Sequence, residues 1–344
     1  VIPQQNWNLL AHFALGVTTL HNPSSQATTV FAAAEYQQAG EILGPRIYST
    51  GEIVYGAKSL YFAKVDNYDD ALSHVRRLKA QGAISVKNYN QPRREQRQQI
   101  NAAARAEGMM SVAEGGSLFH LDMSFITDAT TGIEHNVPAL RMYDDVIQYW
   151  SQTKAGYTPT LVVTYGGLTS EDYYYQHSNV WEHKLLSKFV PPAVLQPRSV
   201  RRLMAPEADF RDDDAAAASR PLLQKGVNVN IGAHGQREGL AAHWEMWSFA
   251  RGGYTPMEAL STATINPARY MGMDKHIGSL EAGKLADLLI LDANPLEDIH
   301  NTDKIHRIMQ NGRLYEAETL SEVVTGDAKL KPFYWQGKPE SAIR

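Results

Sequence analysis

Five residues that could act together on a substrate lie at or just beyond the ends of short β-rich runs. Lys87 closes the apolar run 84–86, Glu114 follows Met109–Ala113, and His135 ends Gly132–His135. Tyr165 ends Thr158–Tyr165, and His234 lies two residues beyond Val227–Gly232. Neutral imidazole is both a ligand for first-row metals and a proton carrier. A lysine turned inward must lose its proton, find an anion or be modified, because an unpaired buried charge is costly. Such a set is suited to gripping a cation and the water it activates. Each residue also has a structural reading. Lys87 could simply pair with Glu114, and Glu114 could brace the turn at Gly115-Gly116, where small residues allow close approach. His120 falls on an expected helix and is the weaker histidine candidate. His243 and Glu245 are two apart, so a helix turns them to different faces and they are not a zinc pair. Both are read as structural, with Trp244 and Trp247 packing the same helix.

To bring these side chains to one place, the runs must lie side by side and end together. The expected strands are Gly16–Leu20, Arg46–Thr50, Ala83–Tyr89, Met109–Ala113, Gly132–His135, Thr158–Tyr165 and Val227–Gly232. Helical stretches at Thr29–Ala39, Tyr68–Gln81, Arg94–Glu107 and Leu140–Lys154 separate them, and another spans Pro256–Tyr270. Gly82 and Gly108 occupy the position just past a helix end that favours glycine. Strands alternating with helices read as an α/β fold around a parallel sheet. The count suits a (β/α)8 TIM-type barrel over residues 1–272 that lacks its first strand. In such a barrel, the carboxyl ends of the strands build the catalytic face. A doubly wound sheet is disfavoured because no Gly-rich phosphate fingerprint follows any strand. The insertion 170–211 stands where a lid would grow. Its Tyr173, Tyr174, Tyr175 and Trp181 either line a cleft or form the lid's own core. Residues 273–324 read as a small β-subdomain with a hairpin turn at Asn311-Gly312, and 325–344 as a tail.

Composition narrows the function classes. Of 344 residues, 43% are hydrophobic and 20% charged, which is a globular balance. The net charge of −4 argues against an electrostatic nucleic-acid binder. The chain has no cysteine, which removes disulfides, thiolate metal sites and thiol nucleophiles. No apolar run approaches the length of a membrane span, and the amino end has no signal-peptide pattern. The chain begins at Val1, which reads as a fragment or processed product. No G-x-S-x-G elbow, P-loop or EF-hand loop is present.

Taken in order, several segments resemble the amidohydrolase superfamily, in the imidazolonepropionase-like branch often joined to a TolB-like propeller. They are Gly16-Val17-Thr18-Thr19, Val86-Lys87, Gly132-Ile133-Glu134-His135 and Ala263-Thr264-Ile265-Asn266-Pro267-Ala268-Arg269. Most specific is the last of these together with the stretch from Gly278 through Asp287-Leu288, which resembles the final barrel helix and its return into a small β-sandwich. The resemblance implies a metal-dependent hydrolase of amide or cyclic amide C–N bonds, or a dipeptidase of the same superfamily. It implies a divalent metal, zinc foremost, as one or two ions held by Lys87 (carbamylated), Glu114, His135 and His234. His234 and His135 would serve the proton transfers. Against the family pattern, the first-strand His-x-His pair is absent, Glu114 replaces a histidine, and His234 replaces the final aspartate. A barrel that has lost its metals and acts as a binding or scaffolding domain is the competing reading. The partners implied are a small amide or peptide-like substrate, an upstream segment of a parent chain and a homo-oligomeric copy. Export to the periplasm follows from the resemblance alone.

Overall fold

A computed structural model describes residues 6–60, 62–116, 118–326 and 330–336. The chain enters through α1 (Trp7–Ala14), then runs β1 (Thr19–Asn22), α2 (Ala27–Gln38), β2 (Arg46–Ser49) and β3 (Val54–Tyr55). Next come α3 (Tyr68–Ala80), β4 (Ser85–Tyr89), α4 (Arg94–Ala106), β5 (Met110–Glu114), α5 (Phe119–Thr127) and β6 (Gly132–Glu134). α6 (Asp144–Ser151) leads to β7 (Gly156–Thr158).

The helices form where sequence chemistry favours them. In α3 the Asn67 side chain accepts the Asp70 N–H, Asp69 and Asp70 occupy the first turn, and Arg77 and Lys79 the last. Each of these contacts stabilises a helix end. Ala71, Val75 and Leu78 turn inward at helical spacing and pack with Val86, Ile100 and Ala103 in a core of their own. Gly82 (φ +105°) and Gly108 (φ +68°) end α3 and α4 in the left-handed conformation expected of them.

Strand pairing is parallel and follows chain order. One sheet runs β3-β4-β5-β6-β7, and β1 pairs with β2. The Ile84 N–H donates to the Ser49 carbonyl, which joins β2 to the entry of β4. On the far side, Tyr157 of β7 bridges in parallel to Val229. With helices between the strands, this is an α/β fold in the order of a TIM-type barrel. All strand exits therefore lie along one edge.

Two strands are shorter than expected. Of the run 158–165 only Thr158, the last residue of β7, is strand, because Pro159 cannot donate to a ladder and Thr160 turns left-handed (φ +56°) into a short 3-10 turn at Leu161–Val163. The run 227–232 contributes the single bridge at Val229. The expected helix 140–154 narrows to α6.

The insertion is helical, with α7 (Ser170–His177), α8 (Lys184–Phe189) and α9 (Pro192–Val200), followed by α10 (Asp212–Gln224) and α11 (Leu240–Arg251). The expected helix 256–270 is two helices, α12 (Pro256–Ala263) and α13 (Ile265–Tyr270). Pro267 accounts for the break, since it cannot donate to the carbonyl four residues back and its ring crowds that carbonyl.

Beyond them, β8 (Leu288–Leu291), β9 (Ile305–Gln310) and β10 (Arg313–Glu316) form an antiparallel sheet in the order β10-β9-β8. Asn311 and Gly312 make its tight turn, both at positive φ. This sheet does not have a core to itself. Ile305, Ile308 and Tyr315 join the main cluster, with the Tyr315 ring 5.4 Å from Phe13 of α1. Phe333 and Trp335, in the stretch expected to be a tail, pack on Phe189 and Trp7.

Candidate functional site

The parallel register places Lys87 beside Val112, and Glu114 beside Glu134. The exits of β4, β5 and β6 thus bring Lys87, Glu114 and His135 together. Lys87 Nζ makes an ion pair with Glu114 Oε2, and His135 Nε2 stands 3.0 Å from Glu114 Oε1. The Tyr165 ring stacks on His135 at 5.1 Å and 27°. His234 meets the His135 ring edge-on at 5.2 Å. All four candidate ligands therefore converge, and Lys87 faces inward at 5% exposure. His120 stands apart, exposed on α5.

Backbone geometry is unusual here. His135 (φ +71°) and His234 (φ +54°) both take the left-handed conformation, uncommon for residues with a side chain and often associated with function. A Cβ at Gly115 would lie 2.5 Å from the Glu134 carbonyl, so only glycine lets the exit of β5 pass β6 this closely.

Electrostatics follow from burial and pairing. Burial pushes the Glu114 carboxyl up, but the His135 hydrogen bond and the Lys87 charge outweigh it and hold the group at about 2. Burial, with the neighbouring His135, lowers the His234 imidazole. Burial pushes the Glu134 carboxyl up, against the opposing pull of Lys87.

A second layer fixes the ends. Glu245 is fully buried and accepts the N–H groups of Val162 (2.6 Å) and Gly232 (3.1 Å), tying the turn after β7 to the segment that leads to His234. Burial pushes it up to about 8. Asn136 accepts the Tyr165 N–H at 2.6 Å and donates to its carbonyl at 3.2 Å. Asp122 accepts the Gly116 N–H at 2.8 Å, and burial pushes it up to about 7. His243, read as structural, bonds the Leu15 carbonyl at 3.0 Å.

Sequence reasoning missed His21 in β1. Its Nε2 lies 2.7 Å from Ser85 Oγ, and burial together with the Lys87 charge holds it at about 4. Its signal was the same as for the others, a polar residue near the end of a β-rich run. Tyr89 was also missed; its ring centroid lies 6.0 Å from Lys87 Nζ.

Fit to a metal turns on Lys87. Among the described residues, no three His, Asp or Glu side chains gather as a cation site. Glu114 and His135 supply two donors and His234 stands beside them, while the lysine amine occupies the remaining corner. With Lys87 as an amine paired to Glu114, the set is not a cation site; a divalent cation would need that amine carried as an anion.

Residues 160–315, a little under half of the chain, match the amidohydrolase family model. It is 29% identical over 160 residues to a 5-methylthioadenosine/S-adenosylhomocysteine deaminase of Moorella thermoacetica, covering 40% of this chain and 37% of that protein. An imidazolonepropionase of Symbiobacterium thermophilum is 59% identical over 39 residues, 11% of this chain and 9% of that protein. The chain thus matches little more than a third of the deaminase's length and less of the imidazolonepropionase's. Among solved structures, a Xaa-Pro dipeptidase shares the fold with TM-score 0.67 at 21% identity, over 90% of this chain and 77% of the other.

Proposed function

We propose that the chain is the catalytic part of a hydrolase that cleaves C–N bonds in amides, cyclic amides or small peptides. The observation that carries the reading is that Glu114 touches both Lys87 and His135 where three parallel strands end, with His234 alongside. The amidohydrolase match and the dipeptidase-like fold support it. We read the parallel array as strands two to eight of a TIM-type barrel over residues 1–272, with 273–324 as an accessory β-sheet.

In this reading Glu114, His135 and a carbamylated Lys87 would hold a divalent ion, zinc being a natural choice for nitrogen and oxygen donors, and His234 would stand beside the ion with its ring nitrogen left for proton transfer. Carbamylation turns a costly buried cation into an anion, so Lys87 and Glu114 offset cationic charge together. Such an ion, when bound, lowers the pKa of a coordinated water toward neutrality and polarises the scissile carbonyl. His234 is exposed at the mouth and held neutral, so its imidazole takes the proton released on attack and returns it to the leaving nitrogen. Tyr165, stacked on His135 and anchored by Asn136, keeps that ring in place.

The ion pair between Lys87 and Glu114 also satisfies the competing reading, a barrel that binds without cleaving. A panel of amides, cyclic amides and dipeptides, assayed with the intact protein loaded with zinc and bicarbonate, separates the two. Turnover that disappears in His135→Ala supports the hydrolase. No turnover on the whole panel by folded, metal-loaded protein leaves only the binding module.

A further inference from the structure

The edge of the sheet that holds this site is rimmed by apolar side chains. Leu60 and Phe62 follow β3, Leu118 and Phe119 follow β5, and Leu140 and Tyr143 follow β6; all six are exposed. Leu60 is 100% exposed and Leu140 72%, so packing does not account for them. Single exposed apolar residues are ordinary, but a group on neighbouring loops marks a contact surface. Because β3, β4, β5 and β6 pair in parallel in that order, these loops leave the same edge as Lys87, Glu114 and His135.

Two aromatic residues connect rim and centre. Tyr89 stacks on Tyr55 at 5.1 Å and 25°, and its ring centroid lies 6.0 Å from Lys87 Nζ. Tyr165 stacks on His135. Residues 56–65, 115–121 and 136–143 contain Lys58, Lys64 and Arg141 but no Asp or Glu. An apolar group entering there finds aromatic faces and aliphatic side chains.

We propose that the site selects amides flanked by a bulky apolar group, an aromatic ring foremost, and that Leu118, Leu140 and the Tyr55–Tyr89 stack make that selection. The proposal names a substrate class for the hydrolase reading and rests on it for turnover, but its binding test stands alone. Calorimetric titration of the intact protein with N-phenylacetylglycinamide and N-acetylglycinamide measures the preference. The phenylacetyl compound should bind roughly tenfold more tightly or better, as burial of part of a ring implies. A Leu118→Ser/Leu140→Ser double variant, changed only at exposed positions, should lose most of that advantage, and Val324→Ser, beyond β10, should keep it. Equal or undetectable binding of both compounds, or an advantage untouched by the double variant, overturns the proposal. Turnover of the same pair separates the two ideas. Selective binding without cleavage of either compound counts against the hydrolase and leaves the selection standing, and cleavage without preference does the reverse.

Discussion

Glu114→Gln should destabilise chelator-treated protein by about 3 kcal/mol at pH 7. The figure follows from the carboxyl's own environment. It falls from an ordinary 4.5 to about 2 in the folded protein, which at about 1.36 kcal/mol per pH unit corresponds to roughly 3 kcal/mol. Breaking a buried ion pair by removing one partner gives a similar expectation, about 3–5 kcal/mol, because Lys87 stays buried beside a neutral amide. Glutamine keeps the shape and an acceptor oxygen, so the loss reports charge. The sign with pH is fixed too. A carboxyl whose folded pKa is depressed stabilises fully above its unfolded value and loses that contribution as pH falls toward 2, so the wild-type advantage should shrink to about 2 kcal/mol at pH 3.5. Urea denaturation of both proteins at the two pH values, with equal denaturant slopes, measures it. A loss under about 1 kcal/mol at pH 7, or one that grows on acidification, would refute the assignment of this pair as the charged centre.

Glu245 should show the opposite pH dependence. Its carboxyl is pushed up to about 8, so the folded state holds the proton more tightly and loses stability as pH rises from about 4.5 to 8. Glu245→Gln keeps one of the two acceptor oxygens and does not titrate, so any cost of the lost acceptor is the same at every pH. Denaturation curves should therefore move in the variant's favour between pH 5 and 8, and parallel curves would contradict this. Tyr270→Phe should raise stability by about 1 kcal/mol, because the hydroxyl is buried without a hydrogen-bond partner. Gly132→Ala should lower it by about 1–3 kcal/mol, since its Cβ would sit 2.1 Å from that hydroxyl. Thermal unfolding checks both, and a stable Gly132→Ala protein would show that Tyr270 can move aside.

Much of the fold was legible because strong local signals agreed with one another. The glycines after α3 and α4 and the Asn311-Gly312 turn each read correctly from residue type alone. The alternation of β4, β5 and β6 with helices then placed Lys87, Glu114 and His135 at one edge, since parallel strands with helical crossovers must end together. What failed did so at prolines and at short strands. Pro159 ended the strand at Thr158, where an expected strand was to begin, and Pro267 divided an expected helix. No local signal announced the left-handed turns at His135 and His234, because such strain is imposed by neighbouring segments rather than by the residue itself. His21 was passed over although it directly follows an expected strand, and its proximity to Lys87 is set by sheet order, which no sequence window contains. The shared core of the C-terminal sheet and α1 was hidden for the same reason.

The most direct test is the metal content of the intact protein, measured by elemental analysis and paired with amide turnover before and after chelation. The account predicts at least one divalent ion per chain. Turnover should disappear with the ion and return with metal and bicarbonate, and both readouts should be reduced in His135→Ala. Turnover that persists unchanged in metal-free protein, or a folded chain that takes up no divalent ion at all, would contradict it.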